Sequence, residues 1–278
     1  MAVINSHALN LELDSAQYLS RADEALLSIT GNLTIECWVN FESIGPARNS
    51  IVSKNKQANG ARSWCFFFSG PNELAFTTSD NGTTEYDKRV TWTPTTGVWY
   101  HVAVVYTAAA GTVDFYVNGA QQGAQQTGVG TSQLDNDQLF LIGATVNSAG
   151  NPDQFFDGQI DDVRLWSTTR TEAQILANMR TEIDSATNLV GSWHLNNVLT
   201  DSSGNALTLT NNGTATFVTA VPWFEITDTA GTDTESVVFE HTIDESDTSG
   251  TPTETITNKY GWGNLSKSST TWTNQTKS

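Results

Sequence analysis

The sequence predicts an all-β protein: a two-sheet antiparallel sandwich with one short helix and a small β/irregular C-terminal extension. Three observations predict it. Short apolar runs recur about every ten to fifteen residues from Ala8 onward, separated by Gly, Pro, Asn and Asp, the rhythm of strands and turns. Residues 34–41 alternate Ile35, Cys37 and Val39 against Glu36, Trp38 and Asn40, as a strand with two unlike faces does. Only one segment has helical spacing, through Ile175, Leu176 and Met179, which is far too little helix for an α/β architecture.

The elements follow in order. Strands are expected at 34–41, 51–54, 64–69 and 74–78. A hairpin follows, 99–106 and 113–118, joined by the Ala/Gly-rich 107–112. The strand 139–142 ends in Gly143, and the loop 144–154 is polar, with Gly150 and Pro152. Residues 155–179 read FFDGQIDDVRLWSTTRTEAQILANM. Gly158 permits a tight turn, and Ile160, Val163, Leu165 and Trp166 are β-formers. Thr171, with Gln174 three residues on, reads as a capping box at the start of the helix. Segments 189–194 and 207–209 close the sheets. Trp38, Trp99, Trp166 and Trp193 fall inside strand runs and are expected to be structural.

The 155–179 stretch resembles the signature near the end of laminin-G-like jelly rolls of the concanavalin A-like lectin/glucanase superfamily, in the bacterial, pentraxin-like branch. That pattern is F-x-G-x-I-D-E-V-R-I/L-W, a short polar run, then a helix; Asp162 stands where Glu is commoner. Four more segments resemble the family in the same order. They are ALNLELDSAQYL (8–19, with Ser15 in place of Gly), LTIECWVNF (33–41), GVWYHVAVVY with VDFYVNG (97–106 and 113–119), and LVGSWHLNNVLTDSSGNALT (189–208). The resemblance implies a concanavalin A-like jelly-roll sandwich at residues 1–220, with glycan binding as its commonest role.

Residues 221–278 form the C-terminal extension. Nine acidic side chains and no Lys or Arg lie within 221–258, a stretch rich in Thr, Ser and Asp and broken by a strand-like run at 236–243. From Lys259 on there are three Lys and no acid, and a repeat of period ten places Trp262 and Trp272 at the head of similar W-x-N-x-S/T-K-S phrases. Such repetition suits a stacking or docking unit. This tail is weakly similar to the tails of phage structural proteins. The docking anchors it offers are Trp223, Phe224, Trp262 and Trp272, residue types that dominate interface energetics.

A net charge of −17 argues against nucleic acid, whose phosphates require a basic surface. No run approaches the ~20 apolar residues needed to span a bilayer. MAVINSHALNLEL at the start lacks a basic n-region and a continuous apolar h-region. The expected routes are a mature form, or exit without a secretory signal, as for a virion protein released by lysis. Cys37 and Cys65 lie in strand runs and are read as buried free thiols; a disulfide between them is the other reading.

The site chemistry is sparse. Glucanases of the superfamily place three carboxylates on one strand face. Glu182 and Asp184 lack a third in register, and the adjacent Asp161 and Asp162 are expected on opposite faces. His101 reads as a packing position, and His7, His194 and His241 are isolated. No catalytic residue is assigned. For calcium, which takes about six to eight oxygen ligands, the family resemblance implies a possible single structural Ca²⁺. The residues offered are Asp157 with Asp153 and Asn151, or Asp14 with Asp201. The pentraxin-like two-calcium triplet is replaced here by Ala144, Thr145 and Val146, so that site is expected to be missing. The other reading is that these acids cap turns. For glycan, Tyr86 and Trp92 are loop rings that could stack on a sugar, with Lys88 and Arg89 between them; the other reading is core or rim packing.

The function expected is a non-catalytic surface adhesion or display protein, virion-associated as a capsid decoration or tail-associated protein. Its lectin-like domain meets cell-surface glycans, and its extension meets virion proteins or a second copy. No nucleic acid and no membrane insertion are expected, and the location is the virion surface, or else extracellular. The alternatives are a secreted bacterial carbohydrate-binding module and, third, a glycoside hydrolase.

Overall fold

A computed structural model describes residues 2–45, 48–228, 235–244 and 253–257; of residues 2–4 and those from 224 on, it describes the backbone alone. Two antiparallel sheets pack face to face. The seven-stranded sheet runs Thr210–Asn212, Tyr18–Arg21, Phe140–Ile142, Arg48–Lys54, Trp64–Ser69, Glu73–Thr78, Tyr86–Thr91. The nine-stranded sheet runs Ala120–Gln121, Thr112–Val117, Trp99–Thr107, Leu33–Phe41, Gly158–Trp166, Ala8–Leu11, Thr216–Val218, with Gln126–Thr127 and Leu189–Trp193 joined at its sides. The jelly-roll sandwich is thus present. The expected strand at 207–209 instead forms at Thr210–Asn212, because Leu207 and Leu209 turn into the core.

Alternation builds the interior. Ile35, Cys37, Val39 and Phe41 from one sheet meet Phe66, Phe68, Phe76 and Phe140 from the other. Rings interlock across the gap, as in Phe41–Phe68 at 5.0 Å and the stacked Phe140–Trp193 at 5.0 Å. Both cysteines are free and buried, and burial pushes both thiols upward, Cys65 to about 12. Gly158 opens its strand rather than making a turn. At its φ of 132° a Cβ would lie 2.1 Å from the Asn40 carbonyl oxygen, so the close approach of two backbones requires glycine there.

The outer face of the nine-stranded sheet carries a buried polar knot. A register shift between Asp161 and Arg164, with Asp162 at φ 46°, forms a bulge. It brings the Asp162 carboxylate round to Arg164, which it meets in a two-pronged ion pair; the neighbouring acids therefore do not simply alternate faces as expected. Arg164 also donates to the carbonyls of Asn178 (3.0 Å) and Thr181 (2.8 Å). Glu36 accepts from Trp166 Nε1 at 2.8 Å and lies 3.6 Å from Arg164 and 3.5 Å from Arg170. Arg170 in turn covers the Trp166 ring at 4.0 Å. Burial raises Glu36 against the pull of both arginines. The helix Glu172–Asn178 opens on the expected capping box of Thr171 and Gln174 and sets Ile175 onto Ala103, Val105 and Tyr116.

One expectation about the extension is corrected. Trp223 is fully buried, packed with Trp38 and Met179 and flanked by Trp99, so its ring is an internal plug of the sandwich and not a free docking anchor. Strand Ala2–Ile4 pairs with Trp223–Asp228, and the sheet continues through Glu235–Asp244 to Thr253–Thr257. The chain's first strand therefore belongs with the extension. Phe224 lies in this sheet, described by its backbone alone, while Trp262 and Trp272 lie outside the described residues. Among the described residues no helix is long and apolar enough to cross a membrane.

Trp223→Ala is expected to destabilise the sandwich by about 3–5 kcal/mol in urea titration, as large buried-ring deletions do; a loss under about 1 kcal/mol contradicts the plug. His101 gives a second test. It lies 3.7 Å from Glu36, edge-on to Trp38, with Arg164, Arg170 and Arg180 also acting on it. Burial, then those arginines, push it well below its ordinary 6.5. The unfolded chain therefore binds the proton first. Its contribution is complete above the ordinary value and declines as pH falls toward the folded one, by about 1.4 kcal/mol per pH unit. Glu36 and Asp161, both raised by burial, act in the opposite sense, so the difference between wild type and His101→Gln isolates the histidine. That difference should shrink from about pH 7 to about pH 5; a constant difference contradicts it.

Candidate functional site

The outer face of the seven-stranded sheet is built from cross-strand rows. Register places Arg48, Ser69, Glu73 and Thr91 in one row, Ser50, Phe67, Ala75 and Arg89 in the next, and Ser53, Cys65, Thr77 and Asp87 in the third. Small neighbours leave space above Phe67. Arg48 lies over that ring at 4.3 Å and Arg89 at 5.9 Å. Phe67 itself is fully buried, so guanidinium planes form the outer surface where the ring would otherwise be open.

Those guanidinium groups belong to an alternating chain of charges: Arg62, Glu85, Arg48, Asp87, Arg89, Glu73. Arg89 meets Asp87 bidentately at 2.9 and 2.7 Å, and reaches Glu73 at 2.7 Å and Ser69 Oγ at 3.1 Å. These hydrogen bonds, Asp87 first, hold Arg89 above its ordinary value against burial. Arg48 touches Asp87 at 3.1 Å and Glu85 at 3.8 Å. The result is an array of charge-assisted donors and acceptors fixed at strand spacing.

Beside the array, the strand pair Thr145–Val146 and Pro152–Asp153 is tied down by Ser53 Oγ to the Ala144 carbonyl (2.8 Å) and by Ser50 N–H to the Gln154 carbonyl (3.0 Å). Here Tyr18 and Phe155 form a half-buried ring pair 6.0 Å apart over Leu141, Ala144 and Val146. The sequence reading missed this pair. Its signal lay in Phe155–Phe156: on an extended chain one ring faces the core and the next faces away, and Phe156 is the core ring.

The predicted glycan residues separate. Trp92 is not on an open loop. Only 8% of it is exposed, and Phe41, Phe68 and Tyr100 enclose its ring at 5.2–6.0 Å; the edge strand before it delivers the ring into the sandwich. Tyr86 and Lys88 alternate with Arg89 along Tyr86–Thr91, so they face the other way. Tyr86 packs against the core and its hydroxyl donates to Asp80 at 3.3 Å. Of the four, Arg89 alone joins the array.

The predicted metal residues separate as well. Asp157 gathers with Glu12 and Glu42, their carboxylate oxygens within 4.8 Å of one another. Asp157 also accepts from Leu13 N–H at 3.2 Å and from Ser43. Asp14, Asp153, Asn151 and Asp201 lie outside that group. Asp201 caps a turn, accepting from the N–H groups of Ser192, Ser203 and Leu207, and Asp153 accepts from Gln154 N–H. The nearest approach to a catalytic carboxylate pair, Glu182 and Asp184, brackets His194 at 3.4 and 3.7 Å. Glu182 is engaged by Asn5 N–H (3.1 Å) and Asn196 (2.6 Å), which latches the N-terminal segment.

Comparison with known proteins agrees with this architecture. A Bacteroides ovatus protein classed as carbohydrate binding superposes with a TM-score of 0.61 at 21% identity, over 77% of this chain and 60% of that one; the chain thus spans about three-fifths of that relative. The heptameric SAP-like pentraxin of Limulus polyphemus gives 0.53 at 13% identity, over 79% and 98%. The CBM40 of the Ruminococcus gnavus IT-sialidase, bound to alpha2,6 sialyllactose, gives 0.50 at 13%, over 63% and 97%. At these identities the likeness is one of fold. No curated protein matches. Residues 13–176, more than half of the chain, match the family described as the concanavalin A-like lectin/glucanases superfamily; with the two-sheet jelly roll and the Gly158–Trp166 signature strand in place, the chain belongs to that superfamily.

Proposed function

We propose that this protein is a non-catalytic glycan-binding domain that reads sugars on the outer face of its seven-stranded sheet. The observation that carries the reading is the Arg48–Asp87–Arg89–Glu73 array, whose two arginines lie over Phe67, beside the Tyr18–Phe155 pair. Arg48 and the array carboxylates would hydrogen-bond hydroxyls, and the ring pair offers an apolar edge. Glu73 and Asp87 are each bonded to Arg89, which leaves neither as a free acid facing a nucleophile. The display surface we propose is a virion, with the extension as the attachment segment. The tail repeat and its weak similarity to phage structural proteins support this location.

A divalent cation belongs to the same reading. Glu12, Glu42 and Asp157 would hold it as carboxylate oxygens, the ligand type that calcium takes.

Three outcomes follow. On a glycan array the wild-type protein binds, and Arg48→Ala weakens binding about tenfold or more, the loss expected for a charged hydrogen-bonding group. Lys88→Ala, on the opposite face, leaves binding unchanged; equal effects of the two substitutions contradict the site, and reducing-sugar release from a polysaccharide panel contradicts the non-catalytic role. Calcium should raise the thermal midpoint of the wild type. Glu42→Gln should blunt the calcium response; a midpoint indifferent to calcium in both proteins rejects the cation.

A further inference from the structure

Each guanidinium of the outer array is already matched by a carboxylate. Arg62 meets Glu85 at 3.1 Å, Arg48 meets Asp87 at 3.1 Å, and Arg89 meets both Asp87 and Glu73 at 2.7 Å. Three cations stand against three acids, so the array carries no net charge. All six side chains are partly exposed, and they meet solvent as alternating donors and acceptors. Beside them, the Lys56 ammonium lies by Gly150, and Asp153 sits on the strand paired with Thr145–Val146, one charge of each sign. The chain as a whole carries −17, a field that repels an approaching anion.

Resting on the glycan reading above, we propose that this face takes neutral sugars and turns away anionic ones, with Asp87 as the residue that sets the choice. A hydroxyl both donates and accepts. It can bridge a guanidinium N–H and a neighbouring carboxylate oxygen while their ion pair stays intact. The carboxylate of a sialic or uronic acid only accepts, as does a sulfate ester. To reach Arg48 or Arg89 in a two-pronged pair, such a group must take the place of Asp87 or Glu73. The displaced side chain then stands beside a second anion, and like charges disfavour that state. Asp87 is the decisive partner because it engages both guanidinium groups that lie over Phe67. Glu73 pairs with Arg89, and Glu85 lies 3.8 Å from Arg48.

The test prints neutral oligosaccharides on one array beside counterparts that differ by a single sialic acid, uronic carboxylate or sulfate. Binding of the full chain is measured for the wild type, Asp87→Asn and Glu73→Gln, at low salt and near ~0.5 M salt. The wild type should bind the neutral members about tenfold or more tightly than their anionic counterparts, at both salt concentrations. Asp87→Asn keeps the shape of the side chain and leaves the array with one excess cation. It should raise binding of the anionic members several-fold, and salt should remove the gain. Glu73→Gln, which frees Arg89 alone, should give a smaller gain of the same kind. A wild type that binds both members equally, or prefers the anionic one, overturns the neutral-sugar choice and leaves the glycan face standing. Anionic binding unchanged in both variants overturns the role of Asp87. Binding to no member of either set overturns the glycan reading and this choice with it.

Discussion

Arg164 holds the back of the molecule together. Its guanidinium is fully buried, and a buried cation needs both a counter-charge and a complete set of acceptors. Asp162, delivered by the bulge, supplies the charge, and the carbonyls at Asn178 and Thr181 supply acceptors from the end of the helix. Glu36 then links this group to Trp166 and Arg170. One side chain thereby fixes where the strand kinks, where the helix ends and where the segment leading to Glu182 departs. Removal of any single partner strands a charge in low dielectric, which costs about 3–5 kcal/mol in comparable cases.

With the back face filled in this way, the opposite sheet carries the surface proposed for recognition. Its outer face is not an aromatic shelf. The ring that would form the shelf, Phe67, lies beneath two arginines, and the accessible aromatic surface is displaced to Tyr18 and Phe155. The edge strand Tyr86–Thr91 divides its chemistry by parity: Asp87 and Arg89 outward, Tyr86 and Val90 toward the core. Charged residues on this strand also protect an otherwise open sheet edge from pairing with another chain.

Much of the fold was legible because period-two patterning is local. The run 33–41 shows its two faces in single letters, and the capping box of Thr171 and Gln174 is visible in the same way. The family resemblance ordered these pieces. What stayed hidden depends on contacts between distant segments. Trp92 lies three residues past Arg89 and reads as a loop ring, yet tertiary packing draws it under Phe41 and Phe68. Glu12 and Glu42 meet Asp157 only because three separate turns converge. Trp223 reads as a docking anchor because it begins a compositionally distinct segment; the sandwich instead uses it to cover Trp38. The array over Phe67 needs the register of four strands, which no single stretch encodes.

The central claim is that sugar meets the seven-stranded sheet. Mapping amide NMR shifts while titrating an array-selected glycan tests it most directly. The account predicts perturbations confined to the strands carrying Arg48, Ser69, Glu73 and Arg89 and to the Tyr18–Phe155 corner. Perturbations clustered instead around the helix and the outer face of the nine-stranded sheet would contradict it.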